Sequence, residues 1–412
     1  MNVLRLVCWL VTALLVMGAG TASASENSLK FGMSAAFSGP SRGLGIELYR
    51  GAAAYFDFVN AGGGVYGRKL ELLPLDDGYN PIPAISNTIQ FIEQDDVFAL
   101  FSYVGTPTVT RILPLLIKYE KENAYLLFPF TGAEPHRQEP YSEYVFNLRA
   151  SYMQETEAIV DRLVSLGRRR IAVFYQADAY GRGGWDGVRK ALAKYRLRPV
   201  VDVSYPRGSG ADFSYAEQAR IINEYDADAV VTVGTYASGA GFIRDMRALK
   251  NTALIANVSF ADGDNLIRKL KEMFPGDTGF LTDNIVNLQV VPSYEDTSLP
   301  AVREYRSIMD QWAKLPPVEL NPEHYSPRQY SAVSFEGFLN ARLVVEMLRR
   351  MGPNPQKADI PDVIEKMTSY DVGLDVPLHY NHRRHQGLDR VYFMMLRDNR
   401  HMPVVNWERW RL

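Results

Sequence analysis

Residues 29–75 read LKFGMSAAFSGPSRGLGIELYRGAAAYFDFVNAGGGVYGRKLELLPL, and the succession of periods inside this stretch decides the fold. Residues 29–34 form a short apolar run of strand length. Residues 45–59 carry apolar side chains at helical spacing, and residues 70–75 return to a strand-like run. A strand, a helix and a second strand at this spacing form one unit, because parallel strands need a long connection and a helix supplies it. The crossover is right-handed and leaves the helix packed on one face of the sheet.

The same alternation continues along the chain. Strand candidates follow at 97–103 and 125–130, with helical stretches at 83–93 and 107–120 between them. It restarts with strand candidates at 170–176, 199–205, 229–234 and 254–259, separated by helical stretches at 154–166, 185–195, 215–225 and 239–249. Two series of similar length, 29–145 and 150–275, predict an α/β protein of two Rossmann-like lobes with parallel-sheet cores. The remainder holds an extended run at 284–292, helical stretches at 299–312, 331–350 and 360–368, and a strand at 391–397. Neither tail is long enough for a core of its own. Both are expected to return to the earlier lobes, which makes a hinge of more than one strand. The expected division is a first lobe of residues 25–147 plus about 276–358 and a second of 148–275 plus about 359–412.

The first 24 residues read as a signal peptide. Arg5 is the one charge before an apolar run over 6–17, and Ala22-Ser23-Ala24 offers a cleavage site. The apolar run is shorter than the roughly 20 residues needed to span a bilayer. Cleavage would remove Cys8, the single cysteine, leaving no disulfide, cysteine nucleophile or thiolate ligand. It would also remove Arg5 and take the net charge from −2 to −3. With 47% hydrophobic and 22% charged residues the composition is that of an ordinary globular protein. No basic face of the kind that binds nucleic acid is evident.

Ligands of open parallel sheets bind beyond the carboxyl ends of the strands. In the first series that edge carries the glycine-rich turn 36–45, the turn Tyr103-Val104-Gly105-Thr106-Pro107-Thr108 and the turn Phe130-Thr131-Gly132-Ala133. Backbone N–H groups and hydroxyls gathered there suit a carboxylate. The corresponding edge of the second series offers Tyr180, Tyr236, and Phe260 with Asp262. Asp262 could meet an ammonium group or cap the following helix. Catalytic motifs are absent: there is no Gly-x-Ser-x-Gly elbow and no His-Glu-x-x-His. The run His379-Tyr-Asn-His382-Arg-Arg-His385 has histidines near one another, but its two arginines oppose a metal cation, and Asn381 suggests a solvated turn. No metal or cofactor is expected, and the chain reads as a binding protein and not an enzyme.

Several of these segments, in order, carry a resemblance. Phe37-Ser38-Gly39-Pro40, Gly51-Ala52, the segment from Val59 to Arg68, Asp76-Asp77, Val104-Gly105-Thr106-Pro107-Thr108, Pro129 to Ala133, Val145 to Arg149, and Ala172 to Gln176 with Tyr180-Gly181 resemble the type I periplasmic binding proteins. The branch is that of the leucine/isoleucine/valine-binding proteins of ABC importers. The resemblance implies a hinge of three crossovers and a first lobe that holds the ligand carboxylate at Gly105, Thr106 and Thr131–Ala133. It implies a tyrosine closing from the second lobe at Tyr180, a neighbour at Tyr236, and Leu44 in the place of an aromatic residue. Where relatives clamp the ligand ammonium with a carboxylate, this chain has Ser259-Phe260. The implied setting is periplasmic, as a monomer that captures an amino acid or a related small carboxylate or amide and docks on an inner-membrane ABC permease. A sensor subunit that presents its closed form to a membrane receptor would use the same lobes.

Overall fold

The described residues begin with a strand buried on both faces, with Gly32 and Ser34 buried on the side opposite Phe31 and Met33. Phe31, Met33 and Ala35 are fully buried in β1 (Ser28–Ala35), as a central strand of a parallel sheet covered by helices requires. The computed structural model describes residues 28–276, 279–321, 324–397 and 400–412. The leader expected over 1–24 lies outside the described residues.

Strand β1 is followed by α1 (Arg42–Ala61), β2 (Lys69–Asp76), α2 (Pro81–Glu93), β3 (Ala99–Phe101), α3 (Thr106–Lys118), β4 (Leu126–Leu127) and β5 (Val145–Phe146). The sheet order is β2-β1-β3-β4-β5, parallel throughout, with Ser28 opposite Lys69 and Ala35 opposite Asp76. The second lobe continues with α4 (Tyr152–Ser165), β6 (Ile171–Gln176), α5 (Ala179–Lys194), β7 (Asp202–Tyr205), α6 (Ala216–Glu224) and β8 (Ala229–Val233). Then come α7 (Tyr236–Ala248), β9 (Leu254–Asn257), α8 (Gly263–Met273), the single turn α9 (Gly279–Thr282) and β10 (Ile285–Gln289). Within the second sheet β7-β6-β8-β9-β10 repeats the order of the first, also in parallel. Each sheet therefore has its switch of winding direction beside its first strand, and the crevice opens at the carboxyl ends there.

The returning segments sit differently from the expected division. Pairing with β9 keeps residues 285–289 in the second sheet, so the chain re-crosses after β10 and not at 276. The next helices, α10 (Pro300–Trp312) and α11 (Ala332–Met351), pack on α1 of the first lobe. The short α12 (Ile360–Glu365) buries Ile360 and Ile364 in the same apolar cluster as Phe338 and Leu348. Residues up to Leu388 stay with that cluster, well past the expected exchange at 359. The chain then crosses a third time to β11 (Tyr392–Arg397), antiparallel to β10, and β12 (Arg400–Pro403) on the sheet edge. Periodicity identified these segments as helix or strand, but the choice of partner lies in long-range pairing that no local pattern carries. The first and third crossings run side by side, with Asn147 N–H donating to His385 O at 2.7 Å and Gly387 N–H to Asn147 O at 2.8 Å.

Helices α1 and α11, twenty residues each, cross at two glycines. A Cβ on Gly51 would lie 1.8 Å from Ser334 O, and one on Gly337 would lie 2.1 Å from Leu48 O. Their backbones touch, and this closeness seals the first-lobe core against Phe338 and Leu339. Gly337→Ala should therefore push the helices apart and cost about 1–3 kcal/mol. Urea unfolding of the unliganded protein checks it, and an unchanged midpoint would show that the contact is not required.

Candidate functional site

The turns at the carboxyl edges of the two sheets face each other. Gly105 precedes α3 with φ of 105°, and a Cβ there would lie 2.3 Å from the Tyr79 ring, so only glycine fits. Its N–H donates to Phe130 O at 3.2 Å, which locks the turn after β3 to the turn after β4. Across that join the hydroxyls of Thr106 and Thr131 lie 2.7 Å apart, both buried, and Ala133 N–H donates to Thr131 Oγ1 at 3.3 Å. Gly132 is pressed against Tyr152 at the start of α4, whose N–H donates to Gly132 O at 2.6 Å.

The second lobe meets these turns with rings. Asp178 caps α5 by accepting from the N–H groups of Tyr180 and Gly181 at 3.0 and 3.2 Å. Tyr180 is wholly buried, its hydroxyl donating to Gly234 O at 3.0 Å. Phe260 stands at the centre, with ring centroids 5.5 Å from Phe130, 5.9 Å from Tyr79 and 4.8 Å from Tyr180. Tyr152 closes the box 5.3 Å from Tyr180. Gln176 Nε2 reaches the Tyr79 hydroxyl at 3.5 Å, a polar contact between lobes. Beside this box a cavity of about 310 Å³ is lined by Thr106, Ala133, Glu134, Tyr152, Ala179 and Asp186.

At the opposite mouth, Gly43 N–H donates to the Tyr236 hydroxyl at 3.1 Å, and burial pushes that phenol up to about 12. Leu44 follows as a fully buried member of the core cluster that also holds Tyr79 and Phe260. Two expected site residues stand elsewhere. Tyr103 turns into the first lobe, its hydroxyl 3.0 Å from Thr88 Oγ1 on α2 and its ring 6.5 Å from Phe91. The third-strand turn faces the cleft, but alternation along the strand sends this side chain to the helix layer. Asp262 caps α8: it accepts from Asn265 N–H at 3.2 Å and from Asn265 Nδ2 at 2.5 Å. Its carboxylate is thus spent on the helix start and not held out to a ligand.

The chain matches, over residues 28–400, the profile of the family described as periplasmic binding protein. It belongs to that family. The two lobes with three crossings are the type I arrangement, in the leucine/isoleucine/valine-binding branch. An amino acid binding protein of Pseudomonas aeruginosa is 24% identical over 280 residues, 68% of this chain and 67% of that relative. The crystal structure of "a possible leucine/isoleucine/valine-binding protein" from Rhodopirellula baltica is 31% identical, with a TM-score of 0.81 and coverage of 94% of this chain and 98% of that one. A branched chain amino acid ABC transporter protein of Thermus thermophilus, solved with bound valine, shares the fold at a TM-score of 0.79 with 15% identity, over 92% of this chain and 95% of its own. Family members are periplasmic solute-binding proteins and not enzymes, so this binding protein has a ligand-binding role.

Residues that the sequence reading missed include Tyr79 and Tyr152, two of the five rings of the box. Tyr79 follows β2 at the same carboxyl edge, so extending the strand-end rule to β2 would have found it. Missed as well was a charged group at the crossings. Arg149, 1% exposed, lies 3.8 Å from Glu155 of α4 and 3.7 Å from Glu336 of α11, one carboxylate from each lobe. Its guanidinium stacks 4.3 Å from the Phe130 ring and donates to Ser259 Oγ. Ser259 in turn donates to Glu155, from N–H at 2.6 Å and from its hydroxyl at 2.8 Å. Burial works against the Arg149 charge, yet Glu336 and Glu155 beside it hold its pKa above the ordinary value.

Burial pushes Glu336, Asp77 and Asp262 up to about 7 each. Such acids bind a proton more tightly folded than unfolded. The stability they contribute is full below the unfolded pKa near 4 and is lost as pH rises through 7. Thermal scans of the unliganded protein should therefore show the melting temperature falling from about pH 5 to about pH 8. Glu336→Gln should flatten part of that fall and gain about 1–3 kcal/mol at the alkaline end. A variant whose profile parallels the parent would remove Glu336 as a source.

Proposed function

We propose that this chain is the substrate-binding protein of an ABC importer, capturing a small carboxylate-bearing solute, an amino acid or its deaminated or amide analogue, by closure of the two lobes. The observation that carries the reading is the buried Thr106–Thr131 hydroxyl pair beside the Ala133 N–H, faced across the cleft by Tyr152 and Tyr180. Hydroxyls and a backbone N–H converging from two turns suit one carboxylate, and the rings suit the apolar remainder of the ligand. A ligand that touches both lobes favours the closed arrangement over the open one, which is how binding shifts the population. A micromolar dissociation constant corresponds to about −8 kcal/mol, within reach of a few charge-assisted hydrogen bonds and buried rings. The closed single chain would then dock on a membrane permease from the periplasm.

The carboxylates around the box bear on the other end of the ligand. Asp178 accepts from Tyr180, Gly181 and Gln176, and Glu155 accepts from Ser259 and faces Arg149. Asp262 is taken by Asn265. An ammonium buried against Phe260 would find none of these three free to pair with it, which is costly. Two further acids, Glu134 and Asp186, lie in the lining of the adjoining cavity. This favours acids and amides over α-amino acids for a ligand held at the box, and an amino acid only where its ammonium reaches Glu134 or Asp186.

A thermal-shift screen of the mature protein against amino acids, their deaminated acids and their amides tests the assignment. Stabilisation by acids without an amino group is expected, and stabilisation by amino acids alone would reverse the order. Thr106→Val should weaken the best ligand by about 1.5–3 kcal/mol, roughly tenfold to a hundredfold, with the unliganded melting temperature nearly unchanged. Calorimetry showing unaltered affinity would reduce Thr106 to the start of α3.

A further inference from the structure

The motif at 379–385 is left unused by the cleft, yet it borders an open cavity of about 330 Å³. The walls are Arg137 from the segment after the Thr131 turn and His382, Arg383, Arg384 and His385 from the third approach to the hinge. Reciprocal backbone bonds between Asn381 and Arg384, at 3.1 and 2.9 Å, close a tight turn, and Asn381 Oδ1 accepts from Arg383 N–H at 2.9 Å. The turn presents two consecutive guanidiniums to the cavity. His385 is structural: its ring stacks 4.2 Å from Phe146, with Nδ1 2.6 Å from Ser142 O and Nε2 3.0 Å from Glu365.

The charges in this cavity are unevenly matched. Arg137 is half-buried and donates to Ala133 O at 3.1 Å, Thr131 O at 3.3 Å and Gln386 Oε1 at 2.5 Å, all neutral acceptors. Among the described residues it has no carboxylate within ion-pair distance, and burial lowers its pKa to about 10. Arg384 pairs with Asp389 at 3.2 Å, whereas exposed Arg383 has no ion pair among the described residues. Glu139 and Glu143 stand on the rim, but neither lies within 4.0 Å of these arginines. A guanidinium withdrawn from water without a counterion costs free energy that an anion would offset. Guanidinium forks match planar or tetrahedral oxyanions in a bidentate manner, and a cavity of this size admits one with its water.

We infer that the cavity between Arg137 and the Arg383–Arg384 turn is a second binding site, separate from the interlobe cleft, for a small multiply charged oxyanion of the phosphate class. The source of the phosphoryl group is either a free anion or a lipid headgroup, and the experiment separates them. The mature protein is titrated with inorganic phosphate against chloride at equal ionic strength, reading the melting temperature and the heat of binding. A saturable rise specific to phosphate is expected, growing with the logarithm of its excess over the dissociation constant. Arg383→Gln with Arg384→Gln should abolish it while cleft-ligand affinity persists. If the double variant fails to fold, Arg383→Gln alone, at an exposed position, should weaken phosphate at least several-fold. Retention on vesicles containing phosphatidic acid but not phosphatidylcholine, lost in the same variants, would identify the lipid as the source. No phosphate-specific response with either probe, or an equal response in parent and variant, overturns the proposal.

Discussion

One guanidinium, that of Arg149, holds the two lobes to a common centre. It is buried where the first crossing enters the second lobe, with Glu155 of that lobe on one side and Glu336 of the first lobe on the other. Removing a charge from water is costly unless counter-charges and hydrogen bonds surround it. Bringing α4, α11 and the Ser259 turn together supplies Arg149 with two carboxylates and one hydrogen-bond acceptor. The same guanidinium packs on Phe130, the residue before Thr131, so the turn after β4 is seated against the charged group at the crossings. Burial pushes Glu336 up to about 7, with the charge of Glu155 adding to the effect and Arg149 opposing it.

Further interlobe contacts repeat this theme with polar groups and not apolar surface. Asp264 on α8 accepts from Ala332 N–H at the start of α11 at 3.0 Å and from the Tyr294 hydroxyl at 2.7 Å, beyond the second crossing. The Tyr325 hydroxyl lies 3.0 Å from Glu47 of α1 and 2.8 Å from Asn265 of α8, wedged between lobes. Hydrogen bonds of this kind exchange readily for water, whereas buried apolar interfaces do not. An interlobe surface built from them suits the proposed opening and closing of the lobes. The central apolar exception is Phe260, which meets rings of both lobes and sits where a ligand would displace or join it.

Both sheets adopt one strand order, and this duplication is why the proposed site lies between them. In each lobe the winding reverses beside the first strand, leaving a crevice at the carboxyl edge. Setting two such edges face to face makes one enclosed cleft from two open ones. On the proposed reading, the hydroxyls of the first lobe would hold the polar head of a ligand and the rings of the second its apolar body.

Much of this was determined by the sequence alone. The alternation of periods from β1 to β10 prescribes parallel α/β lobes, because side chains repeat every two residues in a strand and every 3.6 in a helix. The turns at Gly105–Thr106 and Thr131–Ala133 were readable as strand-end turns, and Tyr180 and Phe260 as their counterparts. What the tertiary structure alone decided was which groups are free and which are spent. Asp262 and Asp178 look alike as acids before a helix, and both are consumed as caps. Tyr103 and Tyr79 look alike as tyrosines after strands, and only Tyr79 faces the cleft. The pairing of β10 with β9, and the meeting of Arg149 with Glu336 from 187 residues away, are likewise invisible locally. A pattern in sequence reports the environment of a residue on its own element. Partnership between distant elements is set by packing and by the cost of leaving a buried charge alone.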